Sequence, residues 1–368
     1  MITDEIKVLI IIRGKSLRGG GGAERRFIRL LDFLNRSDIK LLTNKEFAES
    51  IFESGILKNK DSIIFPPKIM SIIKFNIWLI RTINKIKPKI IHLPLIQKSL
   101  IPFYIWLNFF NNNIEVTSSI VWSRYLSTSS INYFNLLVGD LIYRKSKYID
   151  VLYPSITKSK LIHKYLSKIR ITPCSFTDYN IFKPSVIKEN IIIFAGRLIS
   201  EKNPFLFLYA IRELKRTYPE LISNWKFYIL GKGKLENRIR KFIYLNSLEN
   251  NVELKSLYST HEYFSKSKIF VSLQYPTNYP SQSLLEAMAT ENAVIATDDE
   301  DTRLLIDENC GILIKNNVAD LVNALIKLMG DENLRQKLAK RAREKVINQH
   351  RIEIFAKYIT EIWDNVES

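Results

Sequence analysis

The chain of 368 residues contains little cysteine and little histidine. Its two cysteines, Cys174 and Cys310, lie far apart in the sequence, which argues against a disulfide framework and against a four-ligand metal site. Histidine occurs four times, at positions 92, 163, 261 and 350. The N-terminal segment places acidic residues before its first apolar run and has no small-residue cleavage pattern, so we expect no signal peptide and a cytoplasmic location.

The chain also lacks a long, uninterrupted apolar run. The most apolar stretch, residues 93–110, contains Gln97, Lys98, Ser99 and two prolines. A transmembrane helix needs about 20 predominantly apolar residues, so this stretch falls short of a membrane span. A helix buried in the protein is the preferred interpretation, and insertion into a membrane is the alternative.

Acidic residues are scarce in one half of the chain only. The formal net charge is +18. Residues 1–183 hold 29 Lys and Arg against 13 Asp and Glu, whereas residues 184–368 hold 26 against 24. Almost all of the positive charge therefore belongs to the first half, which predicts an anionic partner there: a membrane surface, a nucleic acid or an acidic substrate.

Length and patterning predict two α/β domains. Hydrophobic residues make up 46% and charged residues 25%, as is typical of a globular protein, and 368 residues exceed one ordinary core. Short β-branched runs alternate with helical stretches in both halves, which is the pattern of doubly wound parallel sheets. We predict strand-forming segments at 6–12, 39–43, 62–65, 89–93, 115–120, 149–155, 190–198, 225–234, 269–274, 293–298 and 311–314.

The periodicity is interrupted around Pro184, which predicts the domain boundary. We predict a first Rossmann-like domain over 1–183, a second over 184–350, and a last helix over 351–368 that could return to the first domain. Within the second domain, residues 318–347 read as one long helix. Two such domains imply a cleft between the carboxyl ends of their strands, where ligands bind in sheets of this kind.

Four consecutive glycines, at 19–22, follow the first predicted strand and precede a helix. Glycines in this position let backbone N–H groups approach an anion at a helix N-terminus. The segment is not a G-x-G-x-x-G fingerprint, and it lacks the Lys-Ser/Thr of a P-loop. Contact with a phosphate is the preferred interpretation because the glycines follow the first strand of the sheet, and a flexible surface turn is the alternative.

A pair of cations follows the first strand of the second half. In "AGRLISEKN", Gly196 ends the strand, and Arg197 and Lys202 lie on the loop after it. Two cations at the carboxyl edge of a strand suit a diphosphate, since Arg forms a bidentate fork and Lys is a compact point charge. The alternative is a solvated surface loop.

A lone carboxylate, Glu286, lies among small apolar residues in "PSQSLLEAMA", residues 280–289. In that setting it should be desolvated, which costs several kcal/mol unless a partner compensates. The first-turn N–H groups of Gln282, Ser283 and Leu284 form an anion site at the start of a predicted helix. Glu286, one turn further on, would then accept hydrogen bonds from sugar hydroxyls. The alternative is a buried Glu paired with a neighbouring Lys or Arg.

These motifs, followed in order by "ENAVIATDDEDTR" and "CGILI", resemble the retaining glycosyltransferases of family 4, which have the GT-B architecture. "GGAER" and "SFTDYNIFKP" are also similar to segments of that family, so the resemblance spans almost the whole chain. It implies two Rossmann-like domains facing across a cleft. It also implies a hexosyltransferase that moves a sugar from a nucleoside diphosphate sugar to a glycan or lipid-linked glycan in cell-surface polysaccharide synthesis.

The resemblance also implies roles for residues that match the family's motifs. By this likeness Gly21 and Gly22 approach the donor pyrophosphate, and Arg197 and Lys202 act on the donor phosphates during catalysis. The backbone amides of Gln282 and Ser283 match those that meet the phosphates. Gly231 matches the turn beside the nucleotide base, and Glu286 matches the glutamate that holds the ribose hydroxyls.

Two positions depart from the family. The first glutamate of the Glu-x7-Glu motif is Asn278 here, which we include in the catalytic set; it can hydrogen-bond hydroxyls but cannot stabilise positive charge. Many members carry a histidine where this chain has Ser118 or Ser119. His92 ends a strand and could face the cleft, although a packing role is at least as well supported.

We expect no metal and no cofactor apart from the donor substrate. "DDED", residues 298–301, is a run of adjacent acids on a loop, a pattern that is more often solvent-facing than metal-binding. In the GT-B architecture Arg, Lys and helix dipoles supply the positive charge on the leaving diphosphate.

Two other functions stay open. Basic residues alternate with aromatics over 146–170, which would suit a nucleic-acid backbone. No recognised nucleic-acid module is present, so we expect no such partner. A sugar-nucleotide epimerase of the same architecture would need an array of acid and base side chains that the sequence does not show.

The excess charge of the first half has a candidate location in residues 71–89. Its cations are Lys74, Arg81, Lys85, Lys87 and Lys89, and they alternate with large apolar residues. This combination is typical of a helix at a membrane interface, which predicts peripheral attachment to an anionic inner membrane face. The alternative is a helix packed on the first sheet with solvated lysines.

Overall fold

The computed structural model describes residues 5–17, 22–111, 113–121, 133–160, 162–256, 260–275, 279, 281–299 and 301–367. The chain divides into two compact units. The first unit comprises residues 1–173 together with 352–368, and the second unit comprises residues 174–351.

The described part of the first unit forms a seven-stranded parallel sheet. Its strands are β1 Val8–Ile11, β2 Ile39–Leu42, β3 Ile63–Ile64, β4 Ile90–Leu93, β5 Glu115–Ile120, β6 Tyr148–Val151 and β7 Ile169–Ile171. Its helices are α1 Gly22–Leu34, α2 Lys45–Ser54, α3 Ile72–Ile86, α4 Ile101–Phe109, α5 Tyr133–Lys145 and, at the end of the chain, α14 Ile352–Glu367. The strand order is β3-β2-β1-β4-β5-β6-β7, so the direction of winding reverses between β1 and β4.

The second unit, where it is described, contains a six-stranded parallel sheet. Its strands are β8 Glu189–Ala195, β9 Lys226–Leu230, β10 Val252–Lys255, β11 Ser267–Ser272, β12 Ala293–Thr297 and β13 Ile312–Ile314. Its helices are α6 Pro204–Thr217, α7 Pro219–Ser223, α8 Glu236–Leu245, α9 His261–Lys266, α10 Gln282–Ala289, α11 Thr302–Leu305, α12 Val318–Gly330 and α13 Glu332–Gln349. The order β10-β9-β8-β11-β12-β13 reverses between β8 and β11.

The predicted fold class, two doubly wound parallel α/β domains, is confirmed. Each predicted strand segment overlaps an observed strand, but β7 and β10 were not predicted. Each of the two lies at one edge of its sheet. The other two edge strands, β3 and β13, are wholly apolar and were predicted, whereas charged residues such as Arg170 and Glu253 interrupt the apolar pattern of β7 and β10.

The prediction of one long helix over 318–347 is wrong, because the structure has two helices there, α12 and α13. Asp331 separates them and has an extended backbone, with φ −110° and ψ 99°. Its side chain caps α13 by accepting a hydrogen bond of 2.8 Å from the Leu334 amide. An Asp that caps a helix start satisfies an N–H group that has no acceptor within the helix.

The division between the units falls at Pro173/Cys174 rather than at the expected 183/184. The segment after Pro173 packs within the second unit. The Tyr179 hydroxyl is 2.8 Å from the Val346 carbonyl and 2.6 Å from that of His350, and Phe182 lies in the core. These contacts explain why the polar stretch before Pro184 belongs to the second unit.

The last helix, α14, belongs to the first unit. The Tyr358 hydroxyl donates a hydrogen bond of 3.0 Å to the buried carboxylate of Asp150 on β6. Lys147 Nζ donates to the Val366 carbonyl at 2.7 Å, and Phe355 and Trp363 are buried. The end of the chain therefore completes the hydrophobic packing of the first unit.

The apolar stretch 93–110 forms part of β4, a short connection and the nine-residue helix α4. Phe103, Tyr104 and Leu107 of α4 are buried, whereas Phe109 at its end is 70% exposed. Across the residues that the structure describes, no helix is both long and apolar enough to cross a membrane.

Candidate functional site

The candidate site lies at the switch point of the second sheet, where β8 and β11 are neighbours but their connections lead away in opposite directions. The loops that follow these two strands leave the same edge of the sheet, and ligands of doubly wound sheets bind in the crevice between such loops. A main-chain hydrogen bond of 3.0 Å from the Tyr275 amide to the Glu201 carbonyl joins the loops. The two loops that border the crevice are therefore held in place relative to each other.

A third loop, after β9, packs directly against the loop after β8. The Gly196 amide donates to the Leu230 carbonyl at 2.9 Å. A Cβ atom at Gly231 would lie 1.9 Å from the Gly196 carbonyl oxygen, and one at Gly233 would lie 2.4 Å from that of Leu198. Two glycines are required here because the two backbones touch.

Arg197 and Lys202 lie on the loop after β8. Arg197 is exposed, and Lys202 is half-buried on the single 3-10 turn Ser200–Lys202. The Lys202 side chain runs beside Gly196, with Cδ 3.5 Å from the position that a Cβ there would occupy. Burial, and secondly the charge of Arg197, lower the pKa of Lys202 to about 8. The two cations are therefore close enough to repel each other, and an anion between them would relieve this repulsion.

Helix α10 begins at the same edge, after the loop that follows β11. The amides of Leu284 and Leu285 donate to the Ser281 carbonyl at 3.0 and 3.1 Å. The amides of Gln282 and Ser283 precede them, in the part of a helix where N–H groups have no acceptor within the helix. Together with the helix dipole, these N–H groups favour a negatively charged ligand.

Glu286 lies one turn inside α10 and is 9% exposed. One of its carboxylate oxygens accepts a hydrogen bond of 3.2 Å from the side-chain amide of Gln282. Gln282 is neutral and belongs to the same helix, so this hydrogen bond orients the carboxylate. The geometry suits a carboxylate that accepts hydrogen bonds from hydroxyl groups.

The carboxyl end of α10 is held by two cations that the sequence did not reveal. Lys188 Nζ donates to the Thr290 carbonyl at 2.7 Å, and the Arg343 guanidinium donates to the Ala289 carbonyl. Burial lowers the pKa of Lys188 to about 7, an effect that Glu291 opposes. Cations at this end of a helix satisfy its last carbonyls and favour its dipole. They fix α10 in place from the end opposite the predicted anion site.

The predicted site residues thus fall into three groups. Six of them lie together at one edge of the second sheet: Arg197, Lys202, Gly231, Gln282, Ser283 and Glu286. Gly22 is in the first unit, where it begins α1 and is exposed. Gly21 and Asn278 lie outside the residues that the structure describes.

His92 is part of the core of the first unit. Its ring is fully buried, 2.9 Å from the Thr117 hydroxyl and 3.3 Å from that of Ser119. Burial, and secondly the charge of Arg26, lower its pKa to about 3. Ser118 and Ser119 are buried too, and Ser119 donates to Asp150 at 2.9 Å. The structure therefore gives His92 the packing role.

The acidic run 298–301 has structural roles where it is described. Asp298 forms a salt bridge of 2.7 Å with Arg303. Asp299 accepts a hydrogen bond of 2.9 Å from the Thr302 amide at the start of α11. Within the described ranges, no group of three or more His, Cys, Asp or Glu side chains could hold a metal ion.

Comparison with known proteins identifies the family of this region. Residues 178–345, nearly the whole second unit, match the family described as glycosyl transferases group 1. The second unit belongs to the group 1 glycosyl transferases. The resemblance seen in the sequence is thereby confirmed.

Two curated relatives that match part of this chain carry specific names. One is the GalNAc-alpha-(1->4)-GalNAc-alpha-(1->3)-diNAcBac-PP-undecaprenol alpha-1,4-N-acetyl-D-galactosaminyltransferase of Campylobacter jejuni, 30% identical over 48% of this chain and 49% of the relative. The other is the poly(ribitol-phosphate) alpha-N-acetylglucosaminyltransferase of Staphylococcus aureus, 31% identical over 38% of this chain and 28% of the relative. The chain thus spans about half of the length of the first relative and less of the second.

The likeness in fold extends further than the likeness in sequence. The crystal structure of Anabaena HepE in complex with UDP-glucose matches with a TM-score of 0.80 and 14% identity, over 98% of this chain and 99% of that one. At this identity the match shows the fold alone. The predicted GT-B fold is thereby confirmed.

Proposed function

We propose that the protein is a retaining hexosyltransferase that moves a sugar from a nucleoside diphosphate sugar to a glycan or lipid-linked glycan acceptor in cell-surface polysaccharide synthesis. The observation that carries the proposal is the meeting of two cations, a helix start and a buried carboxylate at the switch point of the second sheet. The names of the two relatives support it, since one includes an undecaprenol-linked glycan and the other poly(ribitol-phosphate).

In this proposal the donor diphosphate lies between the loop after β8 and the start of α10. Arg197 binds it as a bidentate fork and Lys202 as a point charge, while the amides of Gln282 and Ser283 donate hydrogen bonds. These positive groups stabilise the charge that develops as the bond between the sugar and the diphosphate breaks. The acceptor hydroxyl oxygen forms the new bond to the sugar, and its proton passes to the departing phosphate oxygen. The site needs neither a metal nor a cofactor for this step.

The remaining predicted residues take supporting roles in the proposal. Glu286 accepts hydrogen bonds from the ribose hydroxyls, and Gly231 leaves room beside the nucleotide base. Gly21 and Gly22 let the backbone approach the pyrophosphate. Asn278, where the family motif has a glutamate, hydrogen-bonds hydroxyls of the transferred sugar.

We further propose that the protein attaches to an anionic membrane surface through α3, peripherally at the inner membrane face. One face of α3 is buried through Phe75, Leu79 and Ile83. The opposite face exposes apolar residues, among them Ile73 at 70% and Ile77 at 46%. The same face carries exposed cations, namely Lys74, Arg81 and Lys85. A helix with exposed isoleucines beside cations suits a membrane interface, because the isoleucines can be buried among the lipids while the cations are attracted to anionic headgroups.

The nucleic-acid alternative has less support. Several cations of residues 146–170 make contacts within the protein: Lys164 pairs with Asp140, Lys168 donates to the Arg144 carbonyl at 2.7 Å, and Arg170 lies over the Tyr148 ring. A phosphate backbone would have to displace these contacts. The epimerase alternative gains no support from the group 1 family match.

The experiment that tests the main proposal is a panel of nucleoside diphosphate sugars, with thermal unfolding of the protein and release of the nucleoside diphosphate as readouts. We expect at least one member to raise the melting temperature and to be hydrolysed slowly without an acceptor. A panel that neither shifts the melting temperature nor yields nucleoside diphosphate would contradict the proposal.

A further inference from the structure

Helices α6 and α8 of the second unit pack side by side and share a surface patch of aromatic rings and arginines. Within each helix the contributing residues are spaced four and then three positions apart, so they lie along one face of that helix. We call this surface the Arg/aromatic patch; it consists of Phe205, Tyr209 and Arg212 on α6 and of Arg238, Phe242 and Leu245 on α8.

The three rings of the patch form one cluster that reaches the surface. The ring centres of Phe205 and Phe242 are 6.0 Å apart, and those of Tyr209 and Phe242 are 5.4 Å apart. Tyr209 is 38% exposed and Leu245 is 66% exposed, so described residues do not close over the cluster. Covering such apolar surface with a partner is favourable, because it removes the surface from water.

Both arginines of the patch are exposed and lie over these rings. Arg212 Cζ is 5.5 Å from the centre of the Tyr209 ring and 5.6 Å from that of the Phe242 ring. Arg238 Cζ is 5.3 Å from the centre of the Phe205 ring. Stacking on an aromatic face orients a guanidinium while the N–H groups at its edge stay available as donors. The rings therefore support both guanidinium forks before a partner arrives.

The two forks of the patch have no salt bridge to any residue in the described ranges, whereas neighbouring arginines on the same helices do. Arg216 pairs with Glu213 at 2.6 Å, and Arg240 pairs with Glu236 at 2.9 Å. A carboxylate is planar and has two acceptor oxygens, so it fits a guanidinium fork with two parallel hydrogen bonds. Two forks beside apolar rings thus suit carboxylates that are accompanied by apolar side chains.

We propose that the Arg/aromatic patch is a docking surface for an acidic segment of another protein, in which Asp or Glu residues are interspersed with apolar side chains. Arginine and aromatic residues are enriched at the centres of protein interfaces, which supports a protein partner. A second copy of this chain, bound through the same patch, would bring like charges together. The inference goes beyond the proposed function and does not depend on the donor site.

Other anionic partners fit the patch less well. The bases of a single-stranded nucleic acid stack on open aromatic faces, but here the guanidinium groups lie over the rings. A helix at a membrane interface needs a continuous apolar face, whereas the apolar residues of this patch alternate with arginines along α6 and α8. Both partners are outcomes that the experiment distinguishes.

The experiment selects peptides from a random library on the full chain, after the library has been depleted on folded protein that carries Arg212→Gln and Arg238→Gln. The surviving peptides should be rich in Asp and Glu with apolar residues between them. The most strongly enriched peptide is then labelled, and its affinity is measured by fluorescence anisotropy. We expect this double variant to bind it at least tenfold more weakly than the parent. Arg212→Lys with Arg238→Lys, which keeps the charge but not the forks, should give an intermediate affinity.

The matched control carries Arg216→Gln and Arg240→Gln, which make the same chemical change on the same two helices outside the patch. It should bind the peptide within threefold of the parent. Thermal unfolding verifies that each variant is folded. Nucleotide sugar binding, measured on the same proteins, should be unchanged in all of them, so a failure of the proposed function would appear separately from a failure at the patch.

The inference is overturned if no peptide survives the selection, or if the surviving peptides are not acidic. It is also overturned if the Arg212→Gln, Arg238→Gln protein binds the labelled peptide with parental affinity. Loss of binding to single-stranded DNA or to anionic liposomes in that variant, without any acidic peptide that binds the parent, would assign the patch to a nucleic acid or to a membrane instead.

Discussion

Gly231 lies against Gly196 so closely that a methyl group on Gly231 would be 1.9 Å from the Gly196 carbonyl oxygen. Gly231 has φ 155°, a backbone angle that other residues rarely adopt. The contact joins the loop after β9 to the loop that carries Arg197 and Lys202. The position of both cations therefore depends on a residue that has no side chain.

Gly231→Ala should lower both stability and nucleotide affinity. The new methyl group must push the two loops apart, and such overpacking costs typically 1–3 kcal/mol. Thermal unfolding and calorimetric titration with a nucleotide sugar measure the two effects. Gly330→Ala is the matched control, because a Cβ at the end of α12 meets no atom within 4 Å. The interpretation fails if Gly231→Ala is as stable as Gly330→Ala and binds with parental affinity.

Lys202 should take up a proton when a diphosphate binds. In the unliganded protein its pKa is lowered to about 8, so much of it is neutral at pH 8.5. A bound diphosphate favours the charged form and raises this pKa, so affinity should fall as the pH rises above about 8. Calorimetry in two buffers of different ionisation enthalpy measures the uptake directly. We expect roughly half a proton or more at pH 8.5 and almost none at pH 6.5.

The variant Lys202→Gln tests the assignment of that proton. It should abolish the uptake at pH 8.5, whereas Lys234→Gln, which removes an exposed lysine from the neighbouring loop, should leave it intact. Undiminished uptake in the Lys202→Gln protein would show that another group titrates.

The buried histidines should make the protein sensitive to acid. The pKa values of His92 and His350 are lowered to about 3 and about 4 by burial, against 6.5 for an unburied histidine. The unfolded chain binds more protons in this window, so stability is greatest above pH 6.5 and falls as the pH drops towards 4. Each histidine contributes up to about 1.4 kcal/mol per pH unit. Urea unfolding at several pH values measures the slope.

The variant His92→Asn should be less stable at neutral pH but should lose less stability between pH 6.5 and 4.5. His163→Asn changes an exposed residue and should keep the parental slope. Equal slopes for His92→Asn and the parent would mean that His92 is not buried in the neutral form.

The exposed face of α3 should bind anionic membranes. Each cation near an anionic leaflet contributes about 1 kcal/mol, so changing Lys74, Arg81 and Lys85 to Glu should remove most of the binding. Co-sedimentation with liposomes that contain anionic lipid is the measurement. Binding of the unmodified protein should disappear in high salt and be absent with neutral lipid.

The control for this prediction carries the same charge change at exposed lysines of the second unit, with Lys234, Lys337 and Lys340 changed to Glu. It should sediment as the parent does. Equal recovery of the parent with neutral and anionic liposomes would leave the face of α3 without a membrane role.

Much of the fold could be predicted because the sequences of buried parallel strands are short runs rich in β-branched residues, as in β1 and β8. The strands β7 and β10 could not, since charged residues interrupt their apolar pattern. The break between α12 and α13 depends on a single capping residue, Asp331, inside a pattern that is helical on both sides.

The candidate site could be predicted in part for a similar reason. Arg197, Lys202 and Glu286 stand just after strands or at a helix start, and sequence position alone reveals that. The supporting contacts join residues that are far apart in the chain, as between Lys188 and Thr290. No local pattern marks such pairs, so they are visible only once the sheet order is known.

The affinity of a nucleotide sugar for Glu286→Gln protein, measured with its melting temperature, tests the central claim most directly. The substitution keeps the shape of the side chain but removes charge-assisted hydrogen bonds to the ribose hydroxyls. We predict affinity at least tenfold weaker with a melting temperature close to that of the parent, and no change in either for exposed Glu308→Gln. Unchanged affinity together with a sharply lower melting temperature would contradict the claim, because Glu286 would then be the partner of a buried cation rather than of a ligand.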